Sequence, residues 1–433
     1  MRILADARIQ AGDDSSIITG FLSVCHAKNY CRQRLGEGGK IVWLAFVGCL
    51  LVKKPSIRAG GQPPLPPLPT VPYETSGLWQ PFLTVRAGAG YRSNPLLGST
   101  VQGTGFSSAG ADLFLLRLPS ATTTFTAFFS AEDIRYFQTL RPVTNEAGAT
   151  QEQTFLTAVR MSHGLGGATN WALKFEGRHL YNDQYLNTSS FDALSTNLSS
   201  LRAVTHIGTV IPSVVWHPTE AWQMELGAVG TRQVFLNADA NTGLSSTWEV
   251  GPRFTTGWHD SRLGTLEFEV SALHREFDDR VQSSPLGLPL ADTRLRQNDL
   301  RTELLWRHNW GATNAWQTTL RAFHVWRREN GDGYTDYDRL GLVGSVRYEA
   351  PNWSTRITGR WSTYDYPRSF IVFNGILAVP RERESLQAET HFEYKLSRTW
   401  RMYLEYQWDR EQANRPSDNY SAHIGTLGME HDF

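Results

Sequence analysis

The chain has 433 residues, of which 40% are hydrophobic and 12% aromatic, and its formal net charge is zero. Residues 1–59 carry nine Lys/Arg and four Asp/Glu, which leaves 33 Lys/Arg and 38 Asp/Glu in residues 60–433. This mild acidity argues against nucleic acid as a partner. All three cysteines, Cys25, Cys31 and Cys49, precede residue 60. Beyond it we therefore expect no disulfide framework, no cysteine-bound metal and no cofactor.

The first 59 residues have the pattern of a leader. Lys40-Ile-Val-Trp-Leu-Ala-Phe-Val-Gly-Cys-Leu-Leu-Val52 places a basic residue before a twelve-residue apolar run. That length is typical of the core of a signal peptide and is too short for a membrane helix. Residues 1–59 are therefore predicted to be an upstream leader and Sec signal peptide, and the proline-rich residues 60–77 a stiff periplasmic linker.

Residues 78–433 alternate with a period of two, which is typical of β-strands. In Trp400–Trp408 the even positions hold Trp, Met, Leu, Tyr and Trp, whereas the odd positions hold Arg, Tyr, Glu and Gln. The alternating segments run for about ten to fifteen residues, longer than the usual strand of a soluble domain and long enough to cross a bilayer. One face suits hydrocarbon and the other carries charge, whereas a soluble sandwich would turn its apolar face inward.

Turns of two alternating kinds separate these segments. Seven connections are short: Leu118–Ser120, Gly164–Ala168, His217–Glu220, His259–Ser261, Trp310–Ala312, Ala350–Asn352 and Ser397–Arg398. Eight are longer and polar: Pro95–Thr104, Gln138–Gln151, Gln184–Ser199, Leu236–Ser246, Asp278–Thr293, Glu329–Thr335, Pro367–Arg381 and Gln412–Pro416. These connections imply about sixteen strands, with both chain ends on the short-turn side. Fourteen strands is the alternative, because the second, third and sixth strands alternate poorly.

Tryptophan is placed beside the short turns rather than at strand centres. The residues concerned are Trp79, Trp171, Trp216, Trp222, Trp310, Trp316, Trp353 and Trp400. Indole prefers the level of the lipid headgroups, so the aromatic girdles of a membrane barrel lie at its strand ends. The sequence therefore predicts an all-β fold, a transmembrane antiparallel up-and-down β-barrel over residues 78–433.

Strand parity predicts which charged side chains face the barrel interior. The set is Arg86, Lys174, Arg178, Glu225, Glu267, Glu269, Arg275, Arg301, Glu303, Arg307, Arg339, Arg347, Arg356, Arg360, Glu389, Glu393, Arg401 and Glu405. Two interpretations stay open. These residues line an aqueous pore and select solutes by charge and size, or they pair across neighbouring strands and hold a polar interior together. The loop Gln184–Ser199 is a candidate constriction.

The last strand, Tyr420–Phe433, carries a recognisable spacing. Thr426, Gly428, His431 and Phe433 stand in a polar-x-Gly-x-x-apolar-x-apolar pattern, with His431 in place of an apolar residue. This pattern resembles the C-terminal β-signal by which the assembly machinery of Gram-negative bacteria recognises outer-membrane barrels.

The first strand adds a second resemblance. Gly90-Tyr91-Arg92-Ser93-Asn94 is similar to the opening strand of barrels in polysaccharide-export and surface-lipoprotein-export proteins. Residues 78–433 as a whole resemble a porin-like barrel of the Gram-negative outer membrane. The resemblance implies a channel for hydrophilic solutes or polysaccharide, with outer-membrane lipid and the barrel-assembly machinery as partners and no enzymatic activity. It leaves the oligomeric state open.

Two other functions are kept as alternatives. The first is a plugged surface barrel whose long loops bind a partner. The second is a barrel hydrolase, in which His274 and the paired acids Asp278 and Asp279 activate water. The oxygen-rich loops Asn237–Gly243 and Asn330–Asp338 could hold Ca²⁺, but Asn, Asp and Gly are ordinary turn formers and no metal site is predicted.

Overall fold

The computed structural model describes residues 79–97, 103–117, 122–140, 149–166, 170–187, 200–238, 244–311, 315–373, 377–415 and 418–433. The predicted leader, residues 1–59, and the predicted linker, residues 60–77, lie outside this part of the chain. So do residues 188–199 of the candidate constriction and residues 239–243 of the first oxygen-rich loop.

The described residues form sixteen strands. They are β1 (Trp79–Arg92), β2 (Thr104–Arg117), β3 (Thr123–Leu140), β4 (Ala149–Gly164), β5 (Trp171–Asn187), β6 (Ser200–Trp216), β7 (Trp222–Phe235), β8 (Thr247–Asp260), β9 (Gly264–Phe277), β10 (Arg296–Trp310), β11 (Trp316–Glu329), β12 (Tyr337–Glu349), β13 (Trp353–Phe373), β14 (Leu377–Lys395), β15 (Trp400–Ala413) and β16 (Tyr420–Asp432).

Each strand pairs with its sequence neighbours, and β1 pairs with β16, so the sheet is a closed antiparallel barrel. The predicted fold class is confirmed, with sixteen strands rather than fourteen. Closure satisfies the backbone hydrogen bonds of every strand and removes the open edges that hydrocarbon would not tolerate. In the described part of the chain, no helix is long and apolar enough to cross a membrane.

The prediction of one long loop is wrong, because most of that segment forms strands. Pro367–Arg381 was expected to be a connection, but β13 and β14 continue through most of it and pair from Phe370↔Pro380 to Phe373↔Leu377. A register shift lies between Tyr366 and Phe370, next to Pro367, which has no N–H to give to the ladder. The two strands therefore project as a hairpin beyond the neighbouring β12.

The outer surface of the barrel carries an apolar belt. Its members are the outward-facing large side chains of the strand centres, which are exposed: Val85, Phe129, Phe155, Phe175, Leu226, Phe268, Leu300, Leu304, Leu320, Leu342, Val346, Ile357, Leu404 and Leu427. The opposite faces of the same strands carry buried polar and charged side chains, such as Glu225 and Arg356. An apolar outer surface around a charged interior is the arrangement of a β-barrel that spans a lipid bilayer.

An aromatic girdle closes the belt at the short-turn end. Trp171 and Trp216 stack at a centroid distance of 5.4 Å. Trp400 lies edge-on to His431 at 4.6 Å, and His431 lies edge-on to Phe433 at 4.4 Å. His431, which departs from the apolar pattern of the terminal strand, is thus part of this aromatic girdle.

The seam between β1 and β16 depends on glycine. A Cβ atom on Gly428 would lie 2.5 Å from the backbone oxygen of Ala87 and would meet the ring of Tyr403 on β15. A Cβ atom on Gly88 would lie 2.7 Å from the Tyr403 hydroxyl oxygen. The Tyr403 ring is buried and covers both glycines. Gly428 therefore has a packing role at the point of closure.

Gly428→Ala is expected to destabilise the barrel by about 1–3 kcal/mol, because the added methyl group overpacks the seam. Gly425→Ala is the matched control on the same strand, since nothing lies within 4 Å of the added Cβ atom. The measurement is urea unfolding of the refolded protein in lipid vesicles. Equal midpoints for the two variants would contradict the packing role of Gly428.

Leu304→Arg tests the membrane belt. Leu304 is exposed at the centre of β10, where an arginine facing lipid should cost about 2–4 kcal/mol. The exposed Gln412, near the long-loop end of β15, faces the same way, and Gln412→Arg should cost about 0–1 kcal/mol. Unfolding in vesicles measures both changes, and a larger loss at position 412 would overturn the assignment of the belt.

Candidate functional site in the barrel interior

The structure places the predicted interior residues on the inner face. Arg86, Lys174, Arg178, Glu225, Glu267, Glu269, Arg275, Arg301, Glu303, Arg307, Arg339, Arg347, Arg356, Arg360, Glu389, Glu393, Arg401 and Glu405 all occupy the inward parity of their strands. Their neighbours at the same parity are largely buried, whereas the alternate residues form the outer belt. These side chains therefore share the inner wall of the barrel, and their role as pore-lining residues stays a prediction.

Ion pairs join these residues along the wall of β5 to β9. The Lys174 Nζ atom lies 2.8 Å from a carboxylate oxygen of Glu176 and 2.8 Å from one of Glu225, two strands away. Arg253 continues the row, at 2.6 Å from Glu269. Because side chains reach past the adjacent strand, this part of the interior is a connected network rather than a set of isolated pairs.

A second network occupies the outer half of β8 to β11. Arg275 donates to Glu249 at 2.8 Å, and Arg301 lies 3.3 Å from the same carboxylate. Arg301 also donates to Asp299 at 3.0 Å. Arg327 holds Asp299 through two hydrogen bonds of 2.8 Å, and both side chains are almost fully buried. Asp299 is therefore shared by two guanidinium groups, and Glu249 supplies a second negative charge to Arg301.

Charged pairs also flank the closure seam on both sides. Arg401 lies 3.1 Å from Glu430 and 2.7 Å from Asp432, both on β16. Arg86 on β1 pairs with Asp112 on β2. These contacts agree with the interpretation that inward charges pair across neighbouring strands. Whether the same residues line an open pore is a separate question of function.

Arginine and aromatic side chains alternate in the outer half of β11 to β14. The guanidinium carbon of Arg339 lies 4.9 Å from the ring centroid of Phe323 and 4.8 Å from that of Tyr364. Arg383 approaches Tyr364 to 3.7 Å. We call Phe323, Tyr337, Tyr364, Tyr366, Arg327, Arg339, Arg381 and Arg383 the arginine–aromatic cluster; Arg327 and Arg381 lie over Tyr337 and Tyr366.

This cluster narrows the interior, because its four rings point inward and are buried. Sequence reasoning singled out only Arg339 among its members. The signal for the others was present, since Phe323, Tyr337, Tyr364 and Tyr366 stand at inward parity, where a uniformly solvated wall would carry polar side chains. The predicted interior set was chosen by charge alone, so it left out aromatic residues of the same parity.

A second apolar cluster lies at the outer end of the opposite arc. It consists of Leu96, Phe106, Ile134, Tyr136, Leu140, Tyr185 and Ile424. Beside it, Arg92 on β1 donates to Tyr136 at 2.8 Å and lies 3.1 Å from Glu152 on β4. The two residues of that ion pair lie three strands apart, with β2 and β3 between them. The outer half of the interior is therefore more tightly packed than its inner half.

Halfway along the barrel, side chains of β6 to β11 enclose a small cavity. Its volume of about 20 Å³ has room for about one water molecule, and it is lined by Ile211, Leu273, Arg253, Glu269, Arg301 and Glu303, among others. Towards the short-turn end, the side chains of Glu267 and Arg307 are 35% and 28% exposed. The inner half thus has the character of a vestibule.

The residues of the hydrolase alternative do not assemble into a catalytic group. Arg232 donates to both carboxylate oxygens of Asp278, and this bond lowers the pKa of Asp278. His274 lies on the outer face, with its Nδ1 atom 2.9 Å from Asn298 Oδ1. Asp278 is therefore an ion-paired carboxylate at the rim, and Asp279 is held by a backbone bond to Ser245 Oγ.

The loop 330–336 is closed by its own side chains. The Glu329 carboxylate accepts backbone hydrogen bonds from Gly333, Tyr334 and Thr335 at 2.8 to 3.1 Å. Asp336 accepts one from the Glu329 N–H at 2.7 Å. These contacts are those of a folded turn, as the sequence favoured. Among the described residues, no group of three or more His, Cys, Asp or Glu could hold a metal ion.

Comparison with known proteins finds similarity among solved structures alone. The chain matches no protein-family model and no curated protein sequence. Among solved structures, it is similar to a bacterial polysaccharide outer membrane secretin (TM-score 0.39, 9% identity, covering 82% of this chain and 98% of that one). It is also similar to OccAB1 of Acinetobacter baumannii, with a TM-score of 0.43 and 7% identity over 82% of this chain and 96% of that one. A third similar structure is OmpT, an outer membrane protein of Vibrio cholerae, with a TM-score of 0.41 and 11% identity over 82% of this chain and 97% of that one.

The class of protein follows from the chain's own features. A closed sixteen-strand barrel, an apolar outer belt and a charged interior define an outer-membrane β-barrel of porin-like architecture.

Asp299→Asn is expected to destabilise the barrel by about 3–5 kcal/mol, because the buried guanidinium of Arg327 would lose its counter-charge. The exposed pair of Arg135 and Asp133, on the outer face of β3, is the matched control. Asp133→Asn should have no measurable effect, since solvent screens an exposed pair. Unfolding midpoints in vesicles measure the difference, and equal midpoints would show that the interior charges are solvated.

Proposed function

We propose that this barrel is a channel through which hydrophilic solutes cross the outer membrane. The observation that supports it is the inner face itself, where charged and polar side chains recur along the strands inside an apolar belt. A barrel that served only as an anchor could fill its interior with apolar side chains, whereas charge in the interior suits water and polar solutes. Small solutes and extended polysaccharide are both compatible with such a wall.

The interior charges are unevenly distributed around the wall. On β11 to β13 the inward set is mainly basic: Arg321, Arg327, Arg339, Arg347, Arg356 and Arg360, against Glu329 and Glu349. On β15 and β16 it is mainly acidic: Glu405, Asp409, Glu411, Glu430 and Asp432, against Arg401. In this proposal the basic arc interacts with anionic groups of a solute, and the arginine–aromatic cluster sets the size limit.

Single-channel recording of the refolded protein in a planar bilayer tests the proposal. We expect a steady conductance, and we expect Arg356→Gln and Arg360→Gln to shift the reversal potential toward cation selectivity, because each removes an inward positive charge. Tyr364→Ala should raise the conductance by opening the cluster. Tyr406→Ala is the matched control, since Tyr406 is an exposed aromatic residue on the outer face.

A closed barrel is the second candidate, and a specific observation favours it. The rings of Tyr337 and Tyr366 are only 1% exposed, so the interior beside them is packed. Absence of conductance in a barrel that remains folded on SDS-PAGE without heating would support this candidate. The long loops would then be the place to look for a bound partner.

Export and assembly complete the proposal. The apolar run before residue 53 would direct the chain through the Sec pathway. The terminal pattern of Thr426, Gly428, His431 and Phe433 would then be read by the barrel-assembly machinery. Its position on β16 supports this role, because β16 pairs with β1 and therefore completes the barrel.

A further inference from the structure

An uneven distribution of charge marks the outer face at the long-loop end. Arg232, Trp248, Glu276 and Arg296 stand side by side on β7, β8, β9 and β10, since they are direct register partners. All four have the outward parity. The next outward residues towards the membrane centre are Gly230, the exposed Val250, His274 and Asn298, and Leu300 of the apolar belt follows Asn298 on β10. This row therefore lies at the level where the hydrocarbon of the outer leaflet gives way to its headgroups.

Two guanidinium groups share one carboxylate in this row. The Nε atom of Arg296 donates to Glu276 Oε1 at 2.8 Å, and the Nε atom of Arg294 lies 3.6 Å from the same oxygen. The Arg294 Nε atom also donates to the backbone oxygen of Phe277 at 3.1 Å. Both side chains are 51% exposed. Among the described residues, no further partner is found for the terminal nitrogens of either guanidinium.

The rest of the rim differs in its charge balance. On β3, Arg135 pairs one-to-one with Asp133. On β5 and β6, Arg202 pairs one-to-one with Asp183. On β12 to β14 the corresponding outward row is acidic, because Asp338, Asp365 and Glu382 are direct register partners. Arg381 and Arg415 also share one carboxylate, that of Asp418, but these three side chains are at most 18% exposed. Among the described residues of the rim, two exposed guanidinium groups share one carboxylate only on the arc around β9 and β10.

We propose that Arg294 and Arg296 bind the phosphate groups of a glycolipid of the outer leaflet, with lipopolysaccharide as the source. Both guanidinium groups belong to half-exposed side chains, and a phosphate accepts charge-assisted hydrogen bonds from two guanidinium groups. Trp248 stands in the same row, as expected of an aromatic residue at the interface. Arg232, held by Asp278, flanks the site. The proposal holds whether the barrel interior conducts or is closed.

The test is a titration of the refolded full chain with diphosphoryl lipid A in detergent micelles, followed by native mass spectrometry. The Arg294→Gln/Arg296→Gln double variant should bind more weakly by roughly thirty-fold at low salt, because each arginine near an anionic headgroup contributes about five-fold. Added salt should weaken binding to the unaltered protein, since exposed charges are screened.

Arg135→Gln is the matched control and should bind as the unaltered protein does, because Arg135 is an equally outward guanidinium on another arc. Resistance to SDS without heating verifies that each variant is folded. Unchanged binding in the double variant, or equal binding of lipid A from which the phosphates have been removed, would overturn the proposal. Competition by inorganic pyrophosphate at the same concentration as lipid A would show that free phosphate, and not a lipid headgroup, is the ligand.

Discussion

The requirement that every backbone N–H and C=O in hydrocarbon has a partner governs this molecule. A sheet can meet it only by closing on itself. The pairing of β1 with β16, from Thr84↔Asp432 to Arg92↔Ile424, is therefore the contact on which the other fifteen strand pairs depend. It is also a place where added side-chain atoms would clash, because Tyr403 covers Gly88 and Gly428. The Phe433 N–H reaches the Leu83 oxygen at 2.9 Å and extends the seam to the end of the chain.

Closure creates an interior that contains many charged side chains, and burying an unpaired charge would destabilise the fold. In this barrel the inward charges are instead joined in ion pairs. Lys174 and Arg253 each contact two carboxylates, and Asp299 serves two guanidinium groups. Such networks hold the wall rigid, because breaking one member leaves a buried charge. The same networks leave an excess of positive charge on β11 to β13, which is the basis of the proposed selectivity.

The outer half of the barrel differs from the inner half. Aromatic and guanidinium groups pack against each other on β11 to β14, and an apolar cluster occupies the arc from β16 to β5. In the inner half, the side chains of Glu267 and Arg307 are 35% and 28% exposed. A solute that crossed the membrane through this barrel would pass between a narrow outer region and a wider inner vestibule. The glycolipid site proposed on the outer face lies at the narrow end, where the rim meets the headgroups.

The amino-acid sequence by itself predicted an all-β barrel of about sixteen strands with fourteen as the alternative, short and long connections in alternation, the parity of the charged residues and the placement of tryptophan at strand ends. It could do so because alternation with period two is a local property, and each strand reports its own two faces. Only the tertiary structure decided which charges meet, since Lys174 and Glu225 are two strands apart and the partners of Asp299 come from β10 and β11. It also decided that most of Pro367–Arg381 continues β13 and β14. It likewise decided that four inward-facing aromatic rings, those of Phe323, Tyr337, Tyr364 and Tyr366, pack into one cluster. These features depend on the register and curvature of neighbouring strands, which no single strand encodes.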